Sequence, residues 1–115
     1  MQTVLLTSTF ERQAKAAGLS EDDIAAIAST LAADPLAGDL IAGTGGARKV
    51  GFARSGSGKS GGYRTVHYFG GDDVSVFLLA LIDKRERANL SKAERNELAE
   101  ILPRIATAYR EGRRK

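Results

Sequence analysis

The side chains best placed by type and spacing to do chemistry are cations: Lys49, Arg64, Lys84 and Arg85. Arg64 opens the segment Tyr63–Phe69, whose aromatic and β-branched residues predict a strand. Alternation puts Arg64, Val66 and Tyr68 on one face and Tyr63, Thr65, His67 and Phe69 on the other. Lys49 lies on the predicted strand before it, and Lys84 and Arg85 directly follow the one after. In a meander of these strands the four cations converge on one cleft. Such a cluster binds RNA phosphate, and it stabilises the charge that develops when a phosphoryl group is transferred.

Other chemistries fit less well. The segment Gly56-Ser57-Gly58-Lys59-Ser60 has the look of a phosphate-binding loop, which requires G-x-x-x-x-G-K-[ST]. With Gly58-Lys59-Ser60 in place the first glycine falls at Ala53. A lysine of that kind also opens a helix, whose N-terminus helps to hold the phosphate; here the strand from Tyr63 follows instead. The run "VFLLALID" ending at Asp83 has the pattern of a magnesium-binding strand, but also of many buried strands. No cysteine is present, and His67 is the one histidine, so no thiolate or His/Asp/Glu metal spacing appears. No G-x-S-x-G elbow lies between a strand and a helix. His67, opposite in parity to Arg64, reads as a packed histidine, and Asp72-Asp73 as turn residues. For Arg64 a salt bridge to a helix acid is the structural alternative, and for Arg48 and Arg54 simple solvation.

The elements that must position these residues are legible in outline. "TVLLT", residues 3–7, short, β-branched and apolar, predicts a first strand. Residues 8–18 predict a helix that Gly18 ends. Ser20 N-caps a second, with three acids in its first turn and a stripe of Ile24, Ile27, Ala28 and Leu31. Asp34-Pro35 stops it. Residues 36–46 form a loop with a short extended piece, and residues 47–53 a strand. Residues 54–62 form a flexible connection, Gly70–Asp73 a hairpin turn, and Val74–Ile82 a central strand buried on both faces. Ser91 and Glu94 make a capping box for a last helix, whose Leu98, Ile101, Leu102, Ile105 and Tyr109 share a face and which Pro103 should kink or divide. The order is β-α-α-β-β-β-α: an α+β, two-layer domain over residues 1–115, with an antiparallel sheet and helices on one face.

Composition agrees. The chain has 115 residues, 43% of them hydrophobic, and a net charge of +3. Residues 1–39 carry two basic and six acidic side chains, and residues 70–115 ten and eight. Residues 40–69 carry five basic and no acidic ones, and a purely basic middle points to a polyanion partner. The start reads as neither signal peptide nor membrane segment, and without cysteine a reducing cytoplasm is the expected setting.

These residues together suggest a family. "GTGGARKVGFARSGSGKSGGYRTVHYF" followed by "VFLLALIDKRERANLSKAERN" resembles the RelE/HigB branch of toxins from bacterial toxin–antitoxin pairs, across nearly the whole chain. The most specific features are Gly-Gly-x-Arg at Arg64, the Gly-Lys-Ser-Gly-Gly loop, and the run Lys84…Glu86…Asn89-Leu90-Ser91. The resemblance implies a small α+β ribonuclease that cleaves mRNA in the ribosomal A site without metal or cofactor. The RNA's own 2′-OH attacks the adjacent phosphate, leaving a 2′,3′-cyclic phosphate and a 5′-OH. It implies that Arg64 contacts the scissile phosphate, that Lys49 serves proton transfer or charge, and that Lys84 and Arg85 belong to the same site. Arg48, Arg54 and Lys59 would grip RNA phosphates without reading sequence. Gly51 stands where relatives commonly place a base, and Ile82 where many carry an aromatic. Those departures leave reliance on Tyr68 open, and with it a relative that binds RNA, ribosome or antitoxin without cutting; a ParE-like gyrase inhibitor is the third reading. The implied partners are the ribosome, mRNA and a helix-turn-helix antitoxin of the HigA class, with DNA reached only through the antitoxin.

Overall fold

The structure is a computed structural model that describes residues 2–53, 62–71 and 75–114. Along the chain these form β1 (Val4–Leu6), α1 (Ser8–Ala16), α2 (Glu21–Ala33), β2 (Asp39–Leu40), β3 (Arg48–Phe52), β4 (Tyr63–Phe69), β5 (Val76–Asp83) and α3 (Lys92–Arg114). The strands make one mixed sheet in the order β1-β5-β4-β3-β2. The expected meander of β3, β4 and β5 is antiparallel throughout, and β1 adds to β5 in parallel. β5 is therefore interior to the sheet and covered on both faces, which is why its sequence is almost unbroken apolar.

The α+β class and the element order hold, and the short extended piece at 39–40 pairs with β3 as an edge. α1 and α2 cover one face as expected. Phe10 and Ala14 of α1 and Ile27 and Leu31 of α2 pack on Tyr63, Val76, Leu78 and Leu81. α3 departs from that expectation. Its Leu98, Ile101, Leu102 and Ile105 pack on Val66, Leu79, Ala80 and Ile82, on the opposite face. The apolar stripe of α3 needs apolar partners, and β5, apolar on both sides, supplies them.

One irregularity widens that second face. β4 and β5 run in register from Tyr63↔Asp83 to Val66↔Ala80, then resume at His67↔Leu78. Leu79 is the extra residue of a bulge, so Leu79 and Ala80 both turn toward α3.

Local chemistry fixes the ends of the elements. Thr7 N-caps α1, its Oγ1 accepting from Phe10 N and donating to the Leu78 carbonyl at 2.8 Å, so a single hydroxyl joins helix and sheet. Beyond the end of β1, the Leu81 amide would lack a partner at the sheet edge. Gln13 Oε1 accepts from it at 2.8 Å. Gly18 ends α1 with φ +82°. Ser20 and Asp23 form a capping box on α2, and Ser91 and Glu94 another on α3. Pro103 lies within α3 without dividing it. The turn expected at Gly70–Asp73 runs partly outside the described residues.

Candidate functional site

The α3 face of the sheet is not wholly filled. At the end nearest the start of α3 it opens into a groove of about 650 Å³. Its floor is Lys49, Arg64, Val66 and Ile82; one wall is residues 40–43; the other is Asn89, Leu90, Lys92, Arg95 and Asn96. Sheet register explains the floor. Lys49 pairs with Val66, Gly51 with Arg64, and Arg64 with Ile82. Lys49 and Arg64 are thus diagonal neighbours on one face, at a cross-strand separation of about 7–8 Å between backbones. Four cations line the groove, and no carboxylate, imidazole or phenol does so among the described residues.

Among the described residues Arg64 is held from one side only. Its Nη1 donates to the Ala88 carbonyl at 2.6 Å and to Asn89 Oδ1 at 2.8 Å. The segment that supplies these acceptors is itself tied down. Both terminal nitrogens of Arg87 donate to the Glu94 carboxylate. Glu94 also accepts from Ser91 N at 2.8 Å, and Arg95 donates to the Leu90 carbonyl. The hydrogen bond from Arg87 and those from Ser91 hold the Glu94 carboxyl at about 2, well below its ordinary value.

Lys84 reaches the same neighbourhood by another route. Its Nζ lies 3.3 Å from the point a β-carbon on Gly51 would occupy. The strand position that lacks a side chain therefore still has a cation over it, supplied from the end of β5.

Residues 2–112 match the family model described as the RelE toxin of the RelE/RelB toxin–antitoxin system. The chain belongs to the RelE toxin family. It is the toxin component of a toxin–antitoxin system, with a cognate antitoxin as its partner. Among the described residues of this RelE toxin no helix is long and apolar enough to cross a membrane.

The remaining expected site residues of the RelE toxin are dispersed. Arg85 binds Asp83 through Nε and Nη2, the latter at 2.8 Å, and does not line the groove. Arg48 alternates with Lys49 on β3, and its Nη1 donates to the carbonyls of Leu36 and Gly38 at 3.2 and 3.1 Å. It fastens the loop before β2, where Gly38 has φ +82° and a β-carbon would stand 2.1 Å from the Lys49 carbonyl oxygen. Tyr68 sits further along β4, its ring against Gly46 and Gly70, and is absent from the groove lining. Arg54 and Lys59 lie outside the described residues.

His67 is the packed histidine expected. It is fully buried, and its Nε2 is 2.9 Å from the Pro35 carbonyl oxygen. A carbonyl only accepts, so Nε2 carries the proton and Nδ1 is left as a buried acceptor without a partner among the described residues. Burial, outweighing the Pro35 hydrogen bond, pushes the imidazole pKa down.

Sequence reasoning missed Asn89, Lys92, Arg95 and Asn96 as groove residues. The signal available was the spacing Lys92–Arg95–Asn96, which places these side chains on adjoining turns at the start of α3. That signal stays mute until the packing of α3 on the second face is known.

Proposed function

We propose that this toxin is a ribosome-dependent mRNA endonuclease whose substrate phosphodiester lies in the groove between β4 and the start of α3. One observation carries the reading: Lys49, Arg64, Lys92 and Arg95 line one concave surface with no acid among the described lining residues. A phosphodiester is the common anion that such a surface suits, and RNA brings its own nucleophile in the 2′-OH. In this reading the 2′-oxygen attacks the adjacent phosphorus and the bond from phosphorus to the 5′-oxygen breaks. The products are a 2′,3′-cyclic phosphate and a 5′-OH. Arg64 neutralises the charge that builds on the phosphoryl oxygens, and Lys84, over Gly51, adds a second positive charge nearby. Lys49, the strand lysine beside Arg64, serves the proton that leaves the 2′-OH or the charge left behind. Lys92 and Arg95 hold neighbouring phosphates. The antitoxin is of the helix-turn-helix type.

The same lining supports a second reading, in which the toxin binds RNA or ribosome without cutting. Among the described residues no imidazole, carboxylate or phenol stands in the groove as an evident base, since His67 is buried and Tyr68 lies further along β4.

Induction of the wild type and of Arg64→Ala, with mapping of mRNA 5′ ends, tests both. The first reading expects growth arrest and new 5′-OH ends within coding sequence, both lost in Arg64→Ala. Growth arrest without new ends supports the second. Undiminished toxicity of Arg64→Ala removes Arg64 from the mechanism, and arrest with intact translation and blocked supercoiling replaces both readings with gyrase inhibition.

A further inference from the structure

Arginine carries five N–H donors on a planar group, and its function depends on which edge is free. In Arg64 both protons of Nη1 have acceptors, the Ala88 carbonyl at 2.6 Å and Asn89 Oδ1 at 2.8 Å. Among the described residues neither Nε nor Nη2 has one. The occupied side is therefore Nη1, and the free side is the Nε–Nη2 edge: two parallel N–H groups whose spacing matches two oxygens of one phosphate. We propose that Asn89 is a positioning residue for Arg64: with the Ala88 carbonyl it fixes the guanidinium plane, so that the Nε–Nη2 edge is presented as a fork to a phosphodiester in the groove. This rests on the reading of the groove as an RNA site.

The assignment of Asn89 follows from donor chemistry. Arginine has no acceptor, so the atom that faces Nη1 is the amide oxygen of Asn89 and not its nitrogen. Asn89 is exposed, yet it sits in a segment fixed at both ends. Arg87 is tied to Glu94 on one side of it, and Ser91 to the same carboxylate on the other. Pre-ordering of this kind removes the entropy that a long side chain otherwise loses when it binds. Without Asn89, Nη1 keeps a single acceptor and the guanidinium plane can turn about it.

Two measurements separate this role from contact with RNA and from a merely structural one. The first uses the free protein: ¹⁵N resonances of the Arg64 Nη nitrogens at low temperature. Hindered rotation in the wild type should give distinct Nη signals, which Asn89→Ala should average and Asn89→Asp, which keeps an acceptor oxygen, should preserve. The second is affinity for a short single-stranded RNA oligonucleotide. Arg64→Ala should weaken binding about tenfold or more, as loss of a charge-assisted pair implies. Asn89→Ala should weaken it severalfold in the wild-type background and add nothing in Arg64→Ala. Equal losses in both backgrounds, or Nη signals indifferent to Asn89, overturn the positioning role. Distinct Nη signals that respond to Asn89, together with an Arg64→Ala variant that binds RNA and arrests growth like wild type, uphold the geometry and overturn the RNA reading instead.

Discussion

The Lys84 ammonium lies 3.3 Å from where a β-carbon on Gly51 would stand, although Gly51 is on β3, Lys84 directly follows β5, and β4 runs between those strands. Gly51 pairs with Arg64, so its bare backbone admits a second positive charge over the strand position next to Arg64, while Lys84 itself does not line the groove. The missing side chain at 51 is thus answered from the end of β5. A branched side chain at 51 must displace the ammonium, which is the flexible end of a long chain and moves at little cost. Gly51→Val should leave thermal stability unchanged or raise it by about 0.5–1 kcal/mol, because glycine weakens a strand interior. It should lower RNA cleavage to the level of Lys84→Ala. Melting curves and mRNA 5′-end mapping on the two variants check this, and full cleavage by Gly51→Val would detach Lys84 from the site.

Glu94 makes stability depend on acid. Its carboxyl is held at about 2 by Arg87 first and by Ser91 second. A depressed acid stabilises the fold above its unfolded value and loses that contribution as pH falls toward the folded one. The pH window is therefore about 4.5 down to 2. The side chain is a third exposed, and solvent screening reduces the contribution to about 1 kcal/mol. Urea unfolding should show Glu94→Gln less stable than wild type at about pH 7, the gap narrowed at about pH 3 and nearly closed only at about pH 2. The same substitution should loosen Asn89 and lower RNA affinity at neutral pH.

His67 acts on stability with a similar sign but in a higher window. Its folded pKa lies below the ordinary 6.5 because burial disfavours the cation. Above that value both folded and unfolded forms are neutral, and the group adds no pH dependence. As pH falls below 6.5 the unfolded chain takes up the proton first, so folding stability drops. Unfolding free energies measured between pH 8 and 5 should be flat and then decline, and His67→Gln should remove the decline. Because the ring is buried on the pairing with Pro35, the pH profile of RNA cleavage should show no limb that His67→Gln abolishes.

Much of this was legible in the sequence, and what was not has identifiable causes. Alternation from Arg64 separated it correctly from His67, and Ser20 as an N-cap and the Ser91–Glu94 capping box marked helix starts because such signals are local. Pairing of β1 with β5 joins residues some seventy positions apart, and nothing in Val4–Leu6 specifies it. The bulge at Leu79 arises between two apolar neighbours that obey any register equally well. The place of α3 depended on which side of β5 would accept Leu102, and β5 is apolar on both. The consequence for the site was direct. Lys49 and Arg64 could be brought together from strand pattern, whereas Arg95 and Asn89 entered only with α3 on that face. Arg48 and Lys49, adjacent in the chain, look equivalent as basic residues, but pleat parity sends them to opposite sides of β3.

That parity gives a sharp test of which cations meet RNA. Each phosphate neutralised on a single strand contributes about 0.7 to the slope of log affinity against log salt. Lys92 is exposed and lines the groove. Lys92→Ala should therefore weaken RNA binding moderately across all sequences and reduce the salt slope by about 0.7. Arg48 instead donates to the Leu36 and Gly38 carbonyls. Arg48→Ala should leave the slope unchanged and cost about 1 kcal/mol of stability through the freed loop. Titrations at several salt concentrations, paired with urea unfolding, distinguish the two. A slope lowered by Arg48→Ala but not by Lys92→Ala would move the RNA from the α3 face of the sheet to the face covered by α1 and α2.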